Sequence, residues 1–164
     1  MQVHAPTLGS EKEEIEKFYK EVDDIIKEKV NKKVNLIIIG DLNSQIGKRE
    51  PGEEKVVGPY HYGTRNINGD TLIQFSQENE LKIINTWFKK KNKDKWTWIS
   101  PNLETKNQID FIIVQSKNKA VRDYQVLRNF KCDSDHRIIT CSLQMNQLKR
   151  KKFWGRSQTR KERQ

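Results

Sequence analysis

Three acidic residues in the sequence lie at the edges of apolar segments. Asp41 ends the apolar part of NLIIIGDLNSQIG, Asp110 lies inside a second apolar segment, and Asp135 with His136 comes directly before a third. Burying an acidic side chain costs free energy unless the carboxylate is paired or lies at a strand end in a cleft. Hydrolysis of a phosphodiester needs such carboxylates to accept a proton from water and to hold a divalent cation, and it needs a donor to the phosphate. Together these residues favour that chemistry.

Four residues could fill the roles of such a site: Asp41, Asn43, Asp135 and His136. Asp110 could fix the tautomer of His136 by accepting a hydrogen bond from its ring. Oxygen ligands select Mg²⁺ or Mn²⁺ rather than Zn²⁺. Two simpler alternatives stay open at this point. Asp41 and Asn43 could form an Asx turn that only bonds the backbone, and residues 134–136 could be a turn that carries a surface histidine.

The elements that must position these residues alternate between strands and helices. The 164 residues are sized for one domain. Ser10 and Glu13 form a capping box before an amphipathic helix, residues 34–39 form a strand that is apolar on both faces, and 47–69 is a long loop. A second helix is predicted over 70–80, and further strands over 81–88, 96–100, 108–114, 124–127 and 137–145. The order predicts an α/β or α+β fold with helices covering a sheet face.

The net charge of +10 favours a polyanionic partner, most simply DNA. Solubility alone is the competing explanation for a basic chain. A basic loop precedes two alternating tryptophans, Trp96 and Trp98, which we expect in the core. We expect the lysines of this loop to contact the DNA backbone: Lys89, Lys90, Lys91, Lys93 and Lys95. Residues 149–164 are predicted to be a basic, disordered tail.

Cysteine content and hydropathy indicate where the protein functions. The two cysteines, Cys132 and Cys141, are too few for a disulfide framework and lack the spacing of a zinc site. The sequence contains neither a signal peptide nor a run of about 18 apolar residues. We therefore expect an intracellular protein without a membrane partner. The basic cluster 149–152 is a weak match to a nuclear address, which makes a nuclear location the expectation.

Four motifs occur in an order typical of one superfamily: His-Ala-Pro-Thr at 4–7, Gly-Asp-Leu-Asn at 40–43, Gln-Ile-Asp-Phe-Ile at 108–112 and Ser-Asp-His at 134–136. In this order they resemble the endonuclease/exonuclease/phosphatase superfamily, whose fold is that of DNase I. More narrowly, the sequence resembles the endonuclease domain of RTE-type LINE retrotransposons and craniofacial development protein 2-like proteins. The likeness covers residues 1–148.

The resemblance implies a DNase I-like sandwich of two sheets flanked by helices, and a role for each matching residue. Asp41 would orient or deprotonate water, and Asn43 would hold the scissile phosphate. Asp135 would belong to the metal and acid–base cluster. His136 would stabilise the transition state with Asp110 behind it, and His4 would touch the phosphate or protonate the leaving group. Such enzymes nick DNA and leave a 3′-hydroxyl, which in retrotransposons primes reverse transcription.

The resemblance also implies that part of the catalytic set lies upstream of Val3, including the glutamate that ligates the metal. Glu11, Glu13 and Glu14 cannot replace it, because they fall on the first turn of an outer helix. We expect a C-terminal portion of the domain that binds Mg²⁺ weakly and has little activity alone. Its bare sheet surface would associate with the missing half, a reverse transcriptase domain or another copy. Alternatives are a non-catalytic nucleic-acid-binding or protein-interaction module, and a decayed remnant.

Overall fold

The computed structural model describes residues 1–30, 35–128 and 133–144. In chain order its helices and strands are β1 (Gln2–His4), α1 (Lys12–Lys29), β2 (Ile37–Asp41), α2 (Ile67–Glu78), β3 (Leu81–Ile83), β4 (Trp98–Ile99), β5 (Lys106–Asn107), β6 (Asp110–Gln115), β7 (Val121–Val126) and β8 (Ile139–Leu143). Short 3₁₀ turns span Ile84–Thr86 and Asn92–Asp94. This is the α+β class that the sequence predicts.

A four-stranded mixed sheet in the order β1-β2-β6-β3 forms the centre. β1 runs parallel to β2, and β6 runs antiparallel to both β2 and β3. The register aligns His4 with Asp41 and Asp41 with Asp110. Three residues from distant parts of the sequence therefore lie side by side at one end of the sheet.

Each face of the central sheet has its own apolar cluster. On one face α1 and α2 pack against the sheet, and Ile38, Leu72 and Phe111 are almost completely buried there. On the other face the β7–β8 hairpin contributes Tyr124 to a smaller cluster with Ile112. Ile37 and Ile39 lie on this second face and are only half-buried, which is consistent with a sheet face that its neighbours cover incompletely.

Both helices begin at positions other than those predicted. α1 starts at Lys12 with Glu11 as its N-cap, and no side chain caps it. Ser10 is not the cap, because its side chain accepts none of the first N–H groups of α1, and its backbone N–H is bonded to the carbonyl of Thr7 in a preceding turn. α2 starts at Ile67, three residues earlier than predicted, because the side chain of Asn66 accepts a hydrogen bond from the backbone N–H of Gly69.

The predicted strand over residues 81–88 is shorter than expected. It ends at Ile83 and continues as a 3₁₀ turn, in which the hydroxyl of Thr86 donates to the carbonyl of Ile83. Its neighbour Val57 pairs with Ile83 in a parallel bridge. The predicted surface loop 47–69 therefore contains a buried segment at 56–58 that extends the core.

The loop before α2 is held in place by Arg65. Its guanidinium donates to both carboxylate oxygens of Glu53, at 2.6 and 2.7 Å. It also donates to the carbonyls of Ile46 and Lys48, both at 2.8 Å. Four hydrogen bonds from one planar group thus join the two ends of the loop.

The two cysteines and the predicted tail differ in whether the structure describes them. Cys132, residue 34 and the predicted tail 149–164 lie outside the described residues. Cys141 is a free, half-buried thiol on β8. Neither described helix is long and apolar enough to cross a bilayer.

Candidate active site

Asp41, Asp110 and His136 meet at the end of the central sheet. Asp41 is the last residue of β2 and pairs with Asp110, the first residue of β6. Nδ1 of His136 lies 3.0 Å from Oδ2 of Asp110, and its Nε2 lies 3.9 Å from Oδ2 of Asp41. The contact between Asp110 and the imidazole is the one the sequence predicts. The ring therefore lies between two carboxylates from adjacent strands.

Backbone hydrogen bonds to β4 place His136 at this point. The N–H of Ile99 donates to the carbonyl of Asp135 at 3.1 Å, and the N–H of Arg137 donates to the carbonyl of Thr97 at 2.7 Å. The hydroxyl of Ser134 accepts the backbone N–H of His136 at 3.1 Å. The segment around His136 is thereby added to β4 as a short extra pairing.

Two buried polar residues, Thr97 and Asn85, hold Asp110. The hydroxyl of Thr97 accepts the backbone N–H of Asp110 at 3.1 Å. The amide of Asn85 donates to the carbonyl of Asp110 at 3.1 Å and accepts the N–H of Ile112 at 2.9 Å. Sequence reasoning gave neither residue a role. The signal that could have found them is a polar residue next to apolar sequence, since such a side chain must find a partner when it is buried.

Asn43 takes the conformation of the simpler alternative, an Asx turn. Its backbone N–H donates to Oδ1 of Asp41 at 2.8 Å, and its φ is +46°. Asparagine tolerates this left-handed conformation better than most residues. The expectation that an extended chain would carry Asn43 to the same side as Asp41 is wrong. Its amide instead donates to the carbonyl of Ala5 at 2.8 Å and ties the end of β1 to the site.

The carboxyl group of Asp41 is held in a state that favours the uptake of a proton. Burial raises its pKa, and the nearby carboxylate of Asp110 raises it further. The hydrogen bond from the N–H of Asn43 and the nearness of His136 and His4 act in the opposite direction. A carboxylate with a raised pKa beside a histidine is typical of catalytic sites.

His4 and Asp135 lie at the rim of the site. Nε2 of His4 is 3.6 Å from Oδ2 of Asp41, and the His4 side chain is 77% exposed. Asp135 is exposed, and its Oδ2 accepts a hydrogen bond from Nε1 of Trp98 at 2.8 Å. His4 therefore faces the site as expected, whereas the carboxylate of Asp135 is engaged by a residue of β4.

The described residues do not by themselves fit a metal ion. Nowhere in the ranges 1–30, 35–128 and 133–144 do three His, Cys, Asp or Glu side chains converge in a way that could hold one. Asp41 and Asp110 are close, but His136 lies between them. The metal role expected for Asp135 stays a prediction.

The basic loop is less uniform than its sequence suggests. Lys89, Lys91 and Lys93 are exposed. Lys90 instead forms an ion pair with Asp123 at 2.7 Å, and Lys95 is buried. The expectation that the two tryptophans form core is wrong: both are half-buried. Arg137 and Lys106 stack on the ring of Trp96, and the indole of Trp98 bonds Asp135.

A central mixed sheet with Asp41, Asp110 and His136 at one end defines a DNase I-like protein of the endonuclease/exonuclease/phosphatase superfamily. The family described as "Endonuclease-reverse transcriptase" matches residues 4–140, and the chain belongs to it.

Known relatives agree with this assignment. The chain is 32% identical over 148 residues to "Craniofacial development protein 2" of Bos taurus and to that of Tragulus javanicus, and in each case the match covers 88% of this chain. It spans only about a quarter of the length of these relatives, 24% and 25% respectively.

Two solved structures share the fold. One is the endonuclease domain of TRAS1, a telomere-specific non-LTR retrotransposon, with a TM-score of 0.56 and 15% identity over 80% of this chain and 52% of that one. The other is the 3′ phosphatase NExo from Neisseria bound to product DNA hairpin. Its TM-score is 0.58, with 15% identity over 87% of this chain and 58% of that one. At this identity the likeness concerns the fold alone.

Proposed function

We propose that the chain is part of a DNA endonuclease of the retroelement type, which hydrolyses a phosphodiester and leaves a 3′-hydroxyl. The observation that carries the proposal is the position of His136, with Nδ1 at 3.0 Å from Asp110 and Nε2 facing Asp41. The family assignment and the two structural neighbours, one an endonuclease and one bound to DNA, support the choice of substrate.

The residues divide the chemistry among themselves. Asp41 accepts the proton of the attacking water, since its raised pKa makes proton uptake easier. Asp110 accepts the Nδ1–H of His136 and fixes the ring, so that an imidazolium, which also carries a proton on Nε2, can donate an Nε2–H hydrogen bond to a phosphate oxygen. His4 lies on the exposed side of Asp41, where the leaving oxygen could take a proton from it.

A divalent cation, Mg²⁺ or Mn²⁺, is also part of the proposal, because the family generally depends on one. Such an ion would stabilise the negative charge that develops on the phosphate. Since the described residues lack a three-ligand group, binding would need further ligands. We therefore expect weak binding of the ion by this chain alone.

A nicking assay tests the proposal. The purified chain is incubated with supercoiled plasmid and MgCl₂, and the relaxed circle is quantified over time. We expect slow nicking that falls about 10²–10⁴-fold in Asp41→Asn and in His136→Ala. The exposed Asp24→Asn on α1 is the control and should nick at the wild-type rate. Extension of the nicks by a DNA polymerase without prior phosphatase treatment would show the 3′-hydroxyl. Nicking that survives in His136→Ala would contradict the proposal.

A second candidate is a non-catalytic nucleic-acid-binding module. The missing three-ligand group within the described ranges favours it, together with the exposed lysines Lys89, Lys91 and Lys93. A salt titration of DNA binding in EDTA examines it. When these lysines are changed to glutamine, the slope of log K against log salt should become less steep by about 0.9 for each phosphate that is no longer neutralised. Binding that is absent at low salt would exclude this candidate.

A further inference from the structure

A polar pocket opens at Lys95, two residues before Thr97 in the sequence. It has a volume of about 540 Å³ and lies between residues 59–63, the 3₁₀ turn Asn92–Asp94 and β5. Its wall carries two tyrosines and a histidine, and two lysines complete it. We call it the tyrosine pocket, and the residues that matter below are Tyr60, His61, Tyr62, Lys95 and Lys106. This volume falls in the range of small-molecule sites, so the pocket has room for one nucleotide.

Lys95 is a buried cation to which the described residues offer no counter-ion in this pocket. The residue is only 6% exposed, and its ammonium makes one hydrogen bond, to the carbonyl of His61 at 2.7 Å. Burial lowers the pKa of Lys95, and within the described ranges no acidic group offsets that effect. Lysine is rarely buried unless it is paired, because desolvating an ammonium is costly. Two of its three N–H donors are left for an anion that enters the pocket.

Contacts within the protein hold the wall around Lys95 in place. The hydroxyl of Tyr62 donates to the carbonyl of Lys106 at 3.3 Å. The ammonium of Lys106 lies 5.3 Å from the ring centre of Trp96, and the guanidinium of Arg137 stacks on the same ring. These two cations add positive charge beside the pocket. The tyrosines are the aromatic surfaces that a base can reach.

Two short connections join the tyrosine pocket to the candidate active site. Lys95 lies two residues before Thr97 in the sequence. The hydroxyl of Thr97 accepts the backbone N–H of Asp110. At the other side a Cβ on Gly63 would lie 3.9 Å from Oε1 of Gln45, which follows Asn43 by two residues. Through these connections the pocket shares backbone with the segments that hold Asp110 and Asn43.

We propose that the tyrosine pocket binds one unpaired nucleotide of the DNA strand next to the scissile phosphate. The base stacks on Tyr62, and a backbone phosphate pairs with Lys95. The inference rests on the proposed DNA substrate and specifies it further: DNA with an unpaired nucleotide is bound better than fully paired DNA. A phosphate at Lys95 supplies the counter-ion that the described part of the chain does not provide.

Fluorescence anisotropy can test this without cleavage. Two labelled DNAs of the same sequence are titrated with protein in EDTA, one fully paired and one with a single unpaired nucleotide. We expect the second to bind about tenfold tighter, a gain within the range of one stacked base. Lys95→Met keeps the apolar stem of the side chain and should abolish the preference. The exposed Lys119→Met lies outside the pocket and should retain it.

A second pair of variants separates binding from folding. Tyr62→Phe keeps the stacking surface and should keep the preference, whereas Tyr62→Ala should lose it, with thermal unfolding of both recorded as a check. Equal binding of the two DNAs by the wild type, or an unchanged preference in a folded Lys95→Met, overturns the pocket. If plasmid nicking still depends on His136 in that case, the proposed function stands. If no DNA binds at low salt, both proposals fail.

Discussion

The ion pair between Glu53 and Arg65 supports the clearest prediction about stability. Both side chains are largely buried, with exposed fractions of 11% and 14%. The carboxylate receives two hydrogen bonds from the guanidinium, and one of its oxygens also accepts the backbone N–H of Glu50 at 2.9 Å. Glu53→Gln keeps the shape of the side chain and removes its charge. It also directs an amide N–H₂ towards the guanidinium.

Removing one partner of a buried pair costs about 3–5 kcal/mol, mainly because the remaining charge is left without compensation. Arg65 retains the carbonyls of Ile46 and Lys48 in Glu53→Gln, which places the expected loss near the lower end. We therefore expect the free energy of unfolding to fall by about 3 kcal/mol. The measurement is urea unfolding at pH 7, followed by tryptophan fluorescence.

Glu50 provides the matched control. Its carboxylate lies 4.0 Å from the same guanidinium and is 69% exposed, so Glu50→Gln should cost no more than about 1 kcal/mol. If the two variants lose the same stability, or if Glu53→Gln loses under about 1 kcal/mol, the ion pair does not hold the loop and the reasoning is refuted.

The same ion pair predicts a pH dependence. Burial alone would raise the pKa of Glu53, but the hydrogen bonds from Arg65 and the N–H of Glu50, with the guanidinium charge, lower it overall from its ordinary value of 4.5. A carboxylate whose pKa is lower in the folded than in the unfolded state contributes its full stabilisation at pH values above the unfolded-state pKa. That stabilisation is lost as the pH falls through the folded-state pKa. The stability difference between wild type and Glu53→Gln should therefore shrink when the pH falls below 4.5.

Three further variants test the sheet and the site. In Gly40→Ala the new Cβ would lie 1.8 Å from the carbonyl oxygen of Val3. We expect β1 to unpair from β2, with a loss of some three hydrogen bonds and of about 3 kcal/mol in the free energy of unfolding. Gly9→Ala, which has open space around it, should be neutral in the same urea unfolding experiment. Asn85→Ala leaves the N–H of Ile112 and the carbonyl of Asp110 unpartnered, and should cost about 3 kcal/mol and speed hydrogen exchange at Ile112. Asp110→Asn should slow nicking about 10–100-fold with DNA affinity unchanged. It should also move the low-pH limb of the nicking rate to lower pH, because burial would remain as a cause of the raised pKa of Asp41 but the Asp110 charge would be gone. A limb that moves to higher pH would contradict this assignment.

Local patterns in the sequence account for the parts that were predicted correctly. The apolar runs before Asp41 and after Asp110 predicted two central strands, and both are present in β2 and β6. The predicted contact between Asp110 and His136 is also present. These predictions depend on residues next to one another or on ordered motifs, which a sequence displays directly.

The predictions that failed depend on competition between local bonds. Ser10 had a complete capping signature, yet its N–H is bonded in a turn before the helix begins. The chain after Asp41 could have stayed extended, yet Asn43 bonds back to the Asp41 carboxylate. In both cases the local sequence permits two hydrogen-bond patterns, each bond is worth about 1 kcal/mol, and packing of the surrounding chain selects one pattern.

The sequence by itself determined the fold class, the family and the identity of the residues that carry the proposed chemistry. The reason is that apolar periodicity and ordered motifs depend only on the order of residues. The tertiary structure alone decided that Asp41 faces Asp110 across two strands, that Thr97 and Asn85 hold the backbone of Asp110, and that Lys95 is buried beside two tyrosines. The physical reason is that strand register and burial depend on contacts between residues far apart in sequence. The sequence shows that Lys95 carries a charge. Only the folded chain shows that Lys95 is buried and that, among the described residues, its ammonium bonds only a backbone carbonyl.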